Sequence, residues 1–181
     1  MSRKYKFHDK DRLYFVSFAT VYWIDIFVRD HYFYEIVKSL DFCRKNKGME
    51  IYAWCIMPSH IHLIFRAQAG NPELVLGKFK EHTSKLLAKL ITDNLQESRR
   101  EWILWFMERA GLKSSNVKHR QFWQHNNKPI VLWSPKVIEQ KLNYIHQNPV
   151  VSGFVLEPWH WKYSSAIDYS GGKGLLEMDF I

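Results

Sequence analysis

A chain of 181 residues is long enough to bury one substantial core and too short for two domains of ordinary size, so one domain over residues 1–181 is expected. Hydrophobic residues make up 46% and charged residues 24%, which excludes global disorder, and no apolar run approaches the roughly 20 residues that a membrane span needs. The net charge of +8 and the aromatic content of 16% favour a single-stranded nucleic acid as the partner. The alternative is that the aromatic residues form core and the lysines a solvated surface.

Cysteine usage and the N-terminus indicate the compartment. Cys43 and Cys55 lie in apolar stretches, which favours buried thiols in a reducing environment over a disulfide. The charged N-terminus leads into no apolar signal core. We therefore expect a soluble cytoplasmic protein that does not contact membranes.

The first half of the chain alternates strand and helix patterns. β-Forming residues from Leu13 to Thr20 predict a strand, and the next pattern predicts a helix that Asp30 caps and that runs to about Asn46. Met49 to Ile56 and His60 to Arg66 predict two more strands. The proline-containing link between these strands predicts a hairpin.

Helices dominate the second half. One is predicted from the Asn71-Pro72 start to about Thr92, and another from Glu97 to Ala110. The polar, basic segment 111–128 predicts a mobile loop. Ser134-Pro135 predicts the start of a last helix that stops at Asn148, before a proline. This order of elements indicates an α+β fold: a mainly antiparallel sheet with helices on its faces.

The run His60-Ile61-His62 lies on a predicted strand. Residues two apart on a strand point to the same face, so both imidazoles are expected to face one way while Ile61 faces the other. Two histidines placed in this way can bind one metal ion. The alternative is a pair of histidines on an exposed strand face.

Tyr144 and Asn148 are four residues apart on the last predicted helix and are therefore neighbours on one face. The opposite stripe of Ile138, Leu142 and Ile145 is expected to contact the core. The alternative is a packing tyrosine followed by an asparagine that caps the helix end.

The two elements together suggest a reaction centre. His60, His62 and the Asn148 side-chain oxygen would supply three ligands to a divalent ion and leave positions for a phosphate oxygen and water. Tyr144, one turn from Asn148, would then face the phosphorus atom. The sequence does not establish that the strand and the helix meet.

Two longer runs resemble a known family. The run from Trp54 to Phe65 is similar to the histidine motif of the HUH single-tyrosine transposases, and the run from Tyr144 to Val155 resembles their tyrosine helix. Together with the segment 161–166, the second run is similar to the REP-associated tyrosine transposase branch. The resemblance extends from Tyr14 to about Leu176.

The resemblance implies a ferredoxin-like antiparallel sheet, with His60 and His62 on a central strand as metal ligands. It implies Tyr144 as the catalytic nucleophile, Asn148 as the third ligand, and Mg²⁺ or Mn²⁺ as the ion. The implied activity is cleavage and joining of single-stranded DNA near hairpins through a 5′-phosphotyrosine intermediate, by a monomer or a homodimer. Two features depart from the family: many relatives carry glutamine at position 148, and the segment 122–129 lacks the acidic residue of the corresponding loop.

A further set of residues is predicted to contact DNA. Cationic side chains can follow phosphates, and an aromatic ring can stack on an unpaired base. The predicted contacts are Lys78, Lys85, Lys89, Arg99, Arg100, Lys113, Lys118, Arg120 and Trp123. Two other functions remain open from the sequence: a metal-dependent phosphodiesterase that activates water, and an inactive protein that binds DNA hairpins.

Overall fold

The computed structural model describes residues 7–114 and 119–181 and contains a four-stranded antiparallel sheet in the order β2-β3-β1-β4. The predicted α+β class with a ferredoxin-like sheet and helices on its faces is confirmed. The strands are β1 (Tyr14–Ala19), β2 (Met49–Ile56), β3 (His60–Ala67) and β4 (Ile130–Val131). The helices are α1 (Asp30–Lys47), α2 (Pro72–Asp93), α3 (Arg100–Leu112), α4 (Pro135–Val151) and α5 (Ala166–Tyr169). None of the described helices is both long enough and apolar enough to cross a membrane.

One face of the sheet is closed by α1, α2 and α3. Val16 and Phe18 of β1 and Leu63 of β3 are fully or almost fully buried there, in one cluster with α1 and α2 residues such as Leu40 and Phe79. Because alternate side chains of a strand point to opposite faces, the intervening residues of β1 and β3 are left for the other face.

The second face carries a smaller core beneath α4. Phe15 of β1 and Ile64 of β3 pack there with Cys55 of β2 and with Ile145 of α4. Cys43 and Cys55 are both buried free thiols, as predicted, and burial raises the pKa of Cys43 to about 11. Because its core is small, the second face of the sheet has room for a functional site as well.

A bulge in β2 assigns its residues to the two faces. The pairing with β3 shifts between Ile51 and Ala53, which leaves Tyr52 as the extra residue. After the shift Trp54 packs under the helices of the first face, whereas Ala53 packs beneath α4. A one-residue change of register exchanges the faces of all later side chains, so this bulge makes the alternation of β2 fit both cores.

Two predicted helix starts were wrong. Arg29 is the residue before α1, and Asp30 lies within the helix, where its carboxylate accepts hydrogen bonds from the Tyr163 hydroxyl (2.6 Å) and the Lys162 ammonium (3.1 Å). The helix predicted from Glu97 begins at Arg100. Glu97 is instead buried and ion-paired with Arg29, so a contact distant in the sequence determines its position.

The prediction of a mobile loop over 111–128 was also wrong in part. Gly111 and Leu112 belong to α3, and residues 115–118 lie outside the described part of the chain. Phe122 and Trp123 are buried in the main core, and Trp123 bridges to Thr20 at the end of β1. Burial of these two rings is worth several kcal/mol, by an estimate of about 1.5–3 kcal/mol per large apolar side chain, which opposes detachment of the segment.

Two glycines allow a test of the backbone. Gly48 ends α1 at φ +63, where a side chain is disfavoured, whereas Gly77 lies inside α2 with open space where a Cβ atom would lie. Gly48→Ala is expected to lower the free energy of unfolding by about 1–2 kcal/mol, and Gly77→Ala to raise it by about 0.5–1 kcal/mol. Urea denaturation measures the change in the free energy of unfolding of each variant. Changes of the same sign in the two variants would contradict these helix assignments.

Candidate active site

His60 and His62 lie on β3, one of the two central strands, and both face the side of the sheet that carries α4. Their ring centroids are 4.7 Å apart. The residues paired with them on β1 are Ala19 and Ser17, which are small. Small cross-strand partners leave space beside the imidazoles, so the strand pairing that forms the sheet also opens the site.

Helix α4 brings Tyr144 to these histidines. Its start is as predicted, with the Ser134 hydroxyl accepting from the Val137 N–H (3.3 Å) and proline at the first helical position. The Tyr144 ring lies edge-on to His62, with centroids 5.1 Å apart, and edge-on to Phe15 at 5.9 Å. Tyr144 is 47% exposed, so a ligand in solvent can reach it.

The sequence predicts that α4 stops at Asn148, before Pro149. This prediction was wrong, because the helix continues to Val151. A proline lacks one N–H donor and crowds the carbonyl four residues earlier, which is tolerated here because the helix ends half a turn later. The extra residues keep Asn148 inside the helix. Its side chain therefore stays on the same face as Tyr144 and reaches the sheet.

Asn148 joins the cluster through His60. The Asn148 side chain lies beside the His60 imidazole, and the Nδ1 atom of that ring lies 3.3 Å from the Ser59 hydroxyl. Burial lowers the pKa of His60, and the neighbouring Asn148 side chain opposes this effect. At neutral pH His60 is therefore a neutral imidazole, which is the form that ligates metals.

His62 is the most deeply buried member, at 2% exposure. Burial, followed by the neighbouring His60 and Lys141, lowers the pKa of His62 to about 3. Neither ring nitrogen of His62 has a hydrogen-bond partner among the described residues, although an unpaired buried polar group costs about 1–3 kcal/mol. A metal ion bound to one nitrogen would remove the cost for that nitrogen.

The side chains around the two imidazoles offer a donor set for such an ion. Within residues 7–114 and 119–181, no three or more His, Cys, Asp or Glu side chains are grouped to hold a metal. The Asn148 side chain, which carries an amide oxygen, lies beside His60 and is a candidate third ligand. Two imidazoles and one amide oxygen can hold a divalent ion that keeps open positions, and the resemblance to the HUH single-tyrosine transposases implies Mg²⁺ or Mn²⁺ as that ion.

Comparison with known proteins identifies the family. Residues 14–120, more than half of the chain, match the family described as "Transposase IS200 like". The chain belongs to this family. The matched range contains His60 and His62 and ends before Tyr144, so the tyrosine helix is placed by the structure and by the resemblance of its own residues.

Individual relatives of this IS200-like chain agree with that assignment. It is 28% identical over 116 residues to a protein of Haemophilus influenzae described as a REP-associated tyrosine transposase, covering 64% of this chain and 58% of the relative. It is 25% identical over 137 residues to the REP-associated tyrosine transposase of Escherichia coli, covering 76% and 66%. The matches thus span less than two thirds of either relative. The predicted similarity to the REP-associated branch is confirmed.

A solved structure matches nearly the whole fold. It is that of a REP-associated tyrosine transposase bound to a REP hairpin, with a TM-score of 0.64 and 14% identity, covering 99% of this chain and 92% of that one. At this identity the likeness concerns the fold. It covers α4 as well as the sheet, so the arrangement of the tyrosine helix on the sheet is part of the shared architecture.

The lysines predicted to bind DNA lie far from this cluster. Lys78, Lys85 and Lys89 are on the exposed side of α2, and α2 packs on the opposite face of the sheet from α4. Lys78 and Lys85 both pair with Glu81, and Lys89 pairs with Asp93. A DNA strand bound at Tyr144 would have to leave the site to reach the α2 lysines. These lysines could therefore bind DNA only through a second segment of it.

Other predicted contacts are arranged differently. Arg99 pairs with buried Glu97, Arg120 pairs with Glu108, and Arg100 lies 3.9 Å from Glu101. The stacking role of Trp123 was wrong, because its ring is 5% exposed and its Nε1–H donates to the Thr83 hydroxyl (3.0 Å). Lys113 is exposed beside an aromatic ring, and Lys118 lies outside the described residues.

Sequence reasoning missed Phe15, Tyr22 and Trp23 around the cluster. Phe15 stacks on His62 and Lys141 lies 5.0 Å from the Phe15 ring, while Trp23 lies edge-on to His60 at 5.3 Å. Tyr22, next to Trp23, is exposed. The alternation of β1 places Phe15 on the same face as Ser17, so its position beside His62 could have been predicted. No local sequence pattern predicts that Tyr22 and Trp23 lie near the cluster.

Helix α4 is anchored from behind by a buried serine. The Ser165 hydroxyl lies 2.9 Å from His146 Nε2 and bonds both the N–H (3.0 Å) and the carbonyl (3.2 Å) of Trp54. It therefore links α4, β2 and the C-terminal segment. Burial lowers the pKa of His146 to about 4, so this histidine is neutral in the network.

Loss of this hydroxyl is expected to destabilise the fold. Ser165→Ala should lower the free energy of unfolding by about 1–3 kcal/mol, because the buried Trp54 N–H and His146 Nε2 lose their bonds to the hydroxyl. Ser170→Ala, which removes an exposed hydroxyl bonded to the Ile167 carbonyl, should change it by less than about 0.5 kcal/mol. Urea denaturation compares the two, and equal losses would show that Ser165 is no anchor.

Proposed function

We propose that this chain cuts and rejoins single-stranded DNA beside a hairpin, with Tyr144 as a covalent nucleophile. The observation that carries the proposal is the contact, within one chain, between the half-exposed Tyr144 ring and the buried His62 ring at 5.1 Å. Membership of the IS200-like transposase family supports a DNA-processing reaction. The match to a relative whose structure contains a REP hairpin supports hairpin DNA as the partner.

The reaction is a transfer of a phosphoryl group to and from tyrosine. The Tyr144 oxygen attacks the phosphorus atom, so that an O–P bond to the protein forms and the bond from phosphorus to the 3′ oxygen breaks. The phenol loses its proton to solvent, and the departing 3′ oxygen gains one. The 5′-phosphotyrosine bond retains the phosphodiester character, so a second 3′-hydroxyl can reverse the step and join strands without a nucleotide cofactor.

His60, His62 and Asn148 would hold Mg²⁺ or Mn²⁺, since IS200-like transposases are generally metal-dependent. When bound there, the ion would draw charge from a non-bridging phosphate oxygen and orient the scissile bond. The neutral state that burial gives His60 and His62 leaves their nitrogens free of competing protons. The neighbouring Asn148 side chain would help to orient the His60 ring.

Protein charges around the nucleophile complement a phosphate. The Lys141 ammonium lies 5.4 Å from the centroid of the Tyr144 ring, one helical turn earlier on α4. A cation in this position attracts the phosphate toward the phenol. Phe15 packs against the other rings of the cluster and holds Tyr144 edge-on to His62.

Covalent chemistry is tested by removing one oxygen atom. Tyr144→Phe is expected to abolish the covalent protein–DNA adduct with a hairpin that carries randomised single-stranded flanks, because the ring without its oxygen cannot attack phosphorus. Binding of the same DNA should change by less than about three-fold, since the loss of one exposed hydrogen-bonding group costs little. A 3′-end label on the DNA and a denaturing gel reveal the adduct.

Tyr34→Phe on α1, on the opposite layer of the fold, serves as the control and should form the adduct normally. Adduct formation by Tyr144→Phe would exclude Tyr144 as the nucleophile. Cleavage by the unmodified chain without any adduct would instead favour attack by water. Binding without cleavage would favour an inactive hairpin-binding protein.

Metal binding is tested by thermal unfolding. Mn²⁺ at about 100 times its dissociation constant should stabilise the unmodified chain by about 2.7 kcal/mol, or roughly 5–10 °C for a chain of this size. His60→Ala and His62→Ala should each remove that shift. His31→Ala, which alters an exposed histidine on α1, should retain it. A full shift in either site variant would refute the proposed ligands.

A further inference from the structure

The turn after β1 holds two bulky residues in an unfavourable backbone conformation. Tyr22 and Trp23 have φ angles of 54° and 57°, in the left-handed region that side chains of their size rarely adopt. Neighbouring bonds maintain it: the Val21 N–H donates to the Phe122 carbonyl (2.8 Å), and the Thr20 hydroxyl donates to the Ile24 carbonyl (2.7 Å). The surrounding fold therefore determines this conformation.

The strained turn does not bury the two rings. Tyr22 is 45% exposed and Trp23 is 55% exposed. Each ring has one edge-to-face contact, Tyr22 with Phe106 of α3 at 5.3 Å and Trp23 with His60 at 5.3 Å. These contacts fix the positions of the rings and leave much of their surface open to a ligand. Trp23 stands directly beside a proposed metal ligand.

A cavity of about 580 Å³ opens next to these rings. Its wall includes Tyr22, Trp23, Gln121 and Gln124. The amide groups of the two glutamines are each held by a hydrogen bond from Nε2 to a backbone carbonyl, that of Trp123 (2.9 Å) and that of Thr20 (3.0 Å). The cavity thus combines flat apolar rings with fixed polar groups, which suits a nucleobase more than an aliphatic ligand.

A positive charge lies at the rim of this cavity. The Lys113 ammonium is 5.9 Å from the centroid of the Tyr22 ring. Unlike the α2 lysines, Lys113 pairs with no carboxylate in the described part of the chain. A cation beside stacked aromatic rings can contact the phosphate of the nucleotide whose base lies on the rings.

We infer that Tyr22 and Trp23 form a stacking platform for an unpaired base of the DNA strand next to the phosphate that Tyr144 attacks, with Lys113 on that nucleotide's backbone. The inference rests on the proposed function, because the strand must pass over His60 and Tyr144 to reach the platform. Stacking on aromatic faces tolerates any base, so the platform positions the strand and does not select its sequence.

The test couples one ring to one base. A DNA hairpin with thymidine flanks is prepared with a single abasic site at successive flank positions, and its affinity is measured by fluorescence anisotropy. Measurements use the Tyr144→Phe background without metal, so cleavage plays no part. At one or two positions loss of the base should weaken binding about ten-fold, the range expected for one stacked base. In Trp23→Gly, which leaves only the Tyr22 ring, the same abasic sites should weaken binding by less than about three-fold.

Trp23→Gly removes the ring and relieves the φ of 57°, so it should unfold at no lower a temperature than Trp23→Ala. Trp23→Phe should keep most of the coupling, because it keeps an aromatic face. Phe42→Ala is the matched control, since Phe42 is 54% exposed but lies on α1, on the opposite layer.

Two results would overturn this inference and leave the proposed function intact. The first is a loss of affinity at abasic sites that is as large in Trp23→Gly as in the parent chain. The second is an unchanged DNA affinity together with weaker adduct formation when Trp23→Gly is the only substitution. The second result would mean that Trp23 positions His60 and touches no base. Failure of the parent chain to bind the hairpin would overturn the proposed function as well. Failure of adduct formation with intact ring–base coupling would overturn the covalent mechanism and leave the platform in place.

Discussion

The arrangement of the site depends on the packing of α4 against the sheet face that α1 and α2 do not use. Ile145 is fully buried there against Phe15, Cys55 and Ile64, and it sits next to Tyr144 in the chain. In a helix, consecutive residues are about 100° apart around the axis, so burying Ile145 turns Tyr144 toward the edge of the contact. The apolar seam therefore aims the phenol at the histidines.

The same packing sets the electrostatics of the cluster. Covering one end of the sheet face excludes water from His62, which lowers its pKa and keeps it neutral, while Tyr144 stays half exposed. A buried imidazole with two unpaired nitrogens is costly for folding alone. A ligand that bonds to one of these nitrogens would offset part of that cost.

The positive charge of the chain is distributed less simply than its total suggests. Several cations on α2 and near α3 are paired with acidic side chains, whereas Lys141 and Lys113 stand beside aromatic rings at the site and at the neighbouring cavity. Exposed ion pairs are worth only about 0–1 kcal/mol. The position of a cation relative to the Tyr144–His62 cluster is therefore a better guide to DNA binding than its charge.

The sequence by itself determined the local geometry of the site. The period of a strand places His60 and His62 on one face, and the period of a helix places Tyr144 beside Asn148; both follow from backbone geometry and need no distant contact. The class of fold and the main helices and strands could be predicted for the same reason. The errors fall where distant contacts compete with local pattern, as in the pairing of Glu97 with Arg29.

Tertiary structure decided which elements meet and which rings are covered. Trp123 lies in a polar, basic segment yet is buried, whereas Tyr22 and Trp23 are exposed in a strained turn that the neighbouring backbone maintains. The contact between Tyr144 and His62 joins residues more than eighty positions apart. Such contacts depend on the shape of the whole core, because each gains free energy only after the sheet and α4 have packed together.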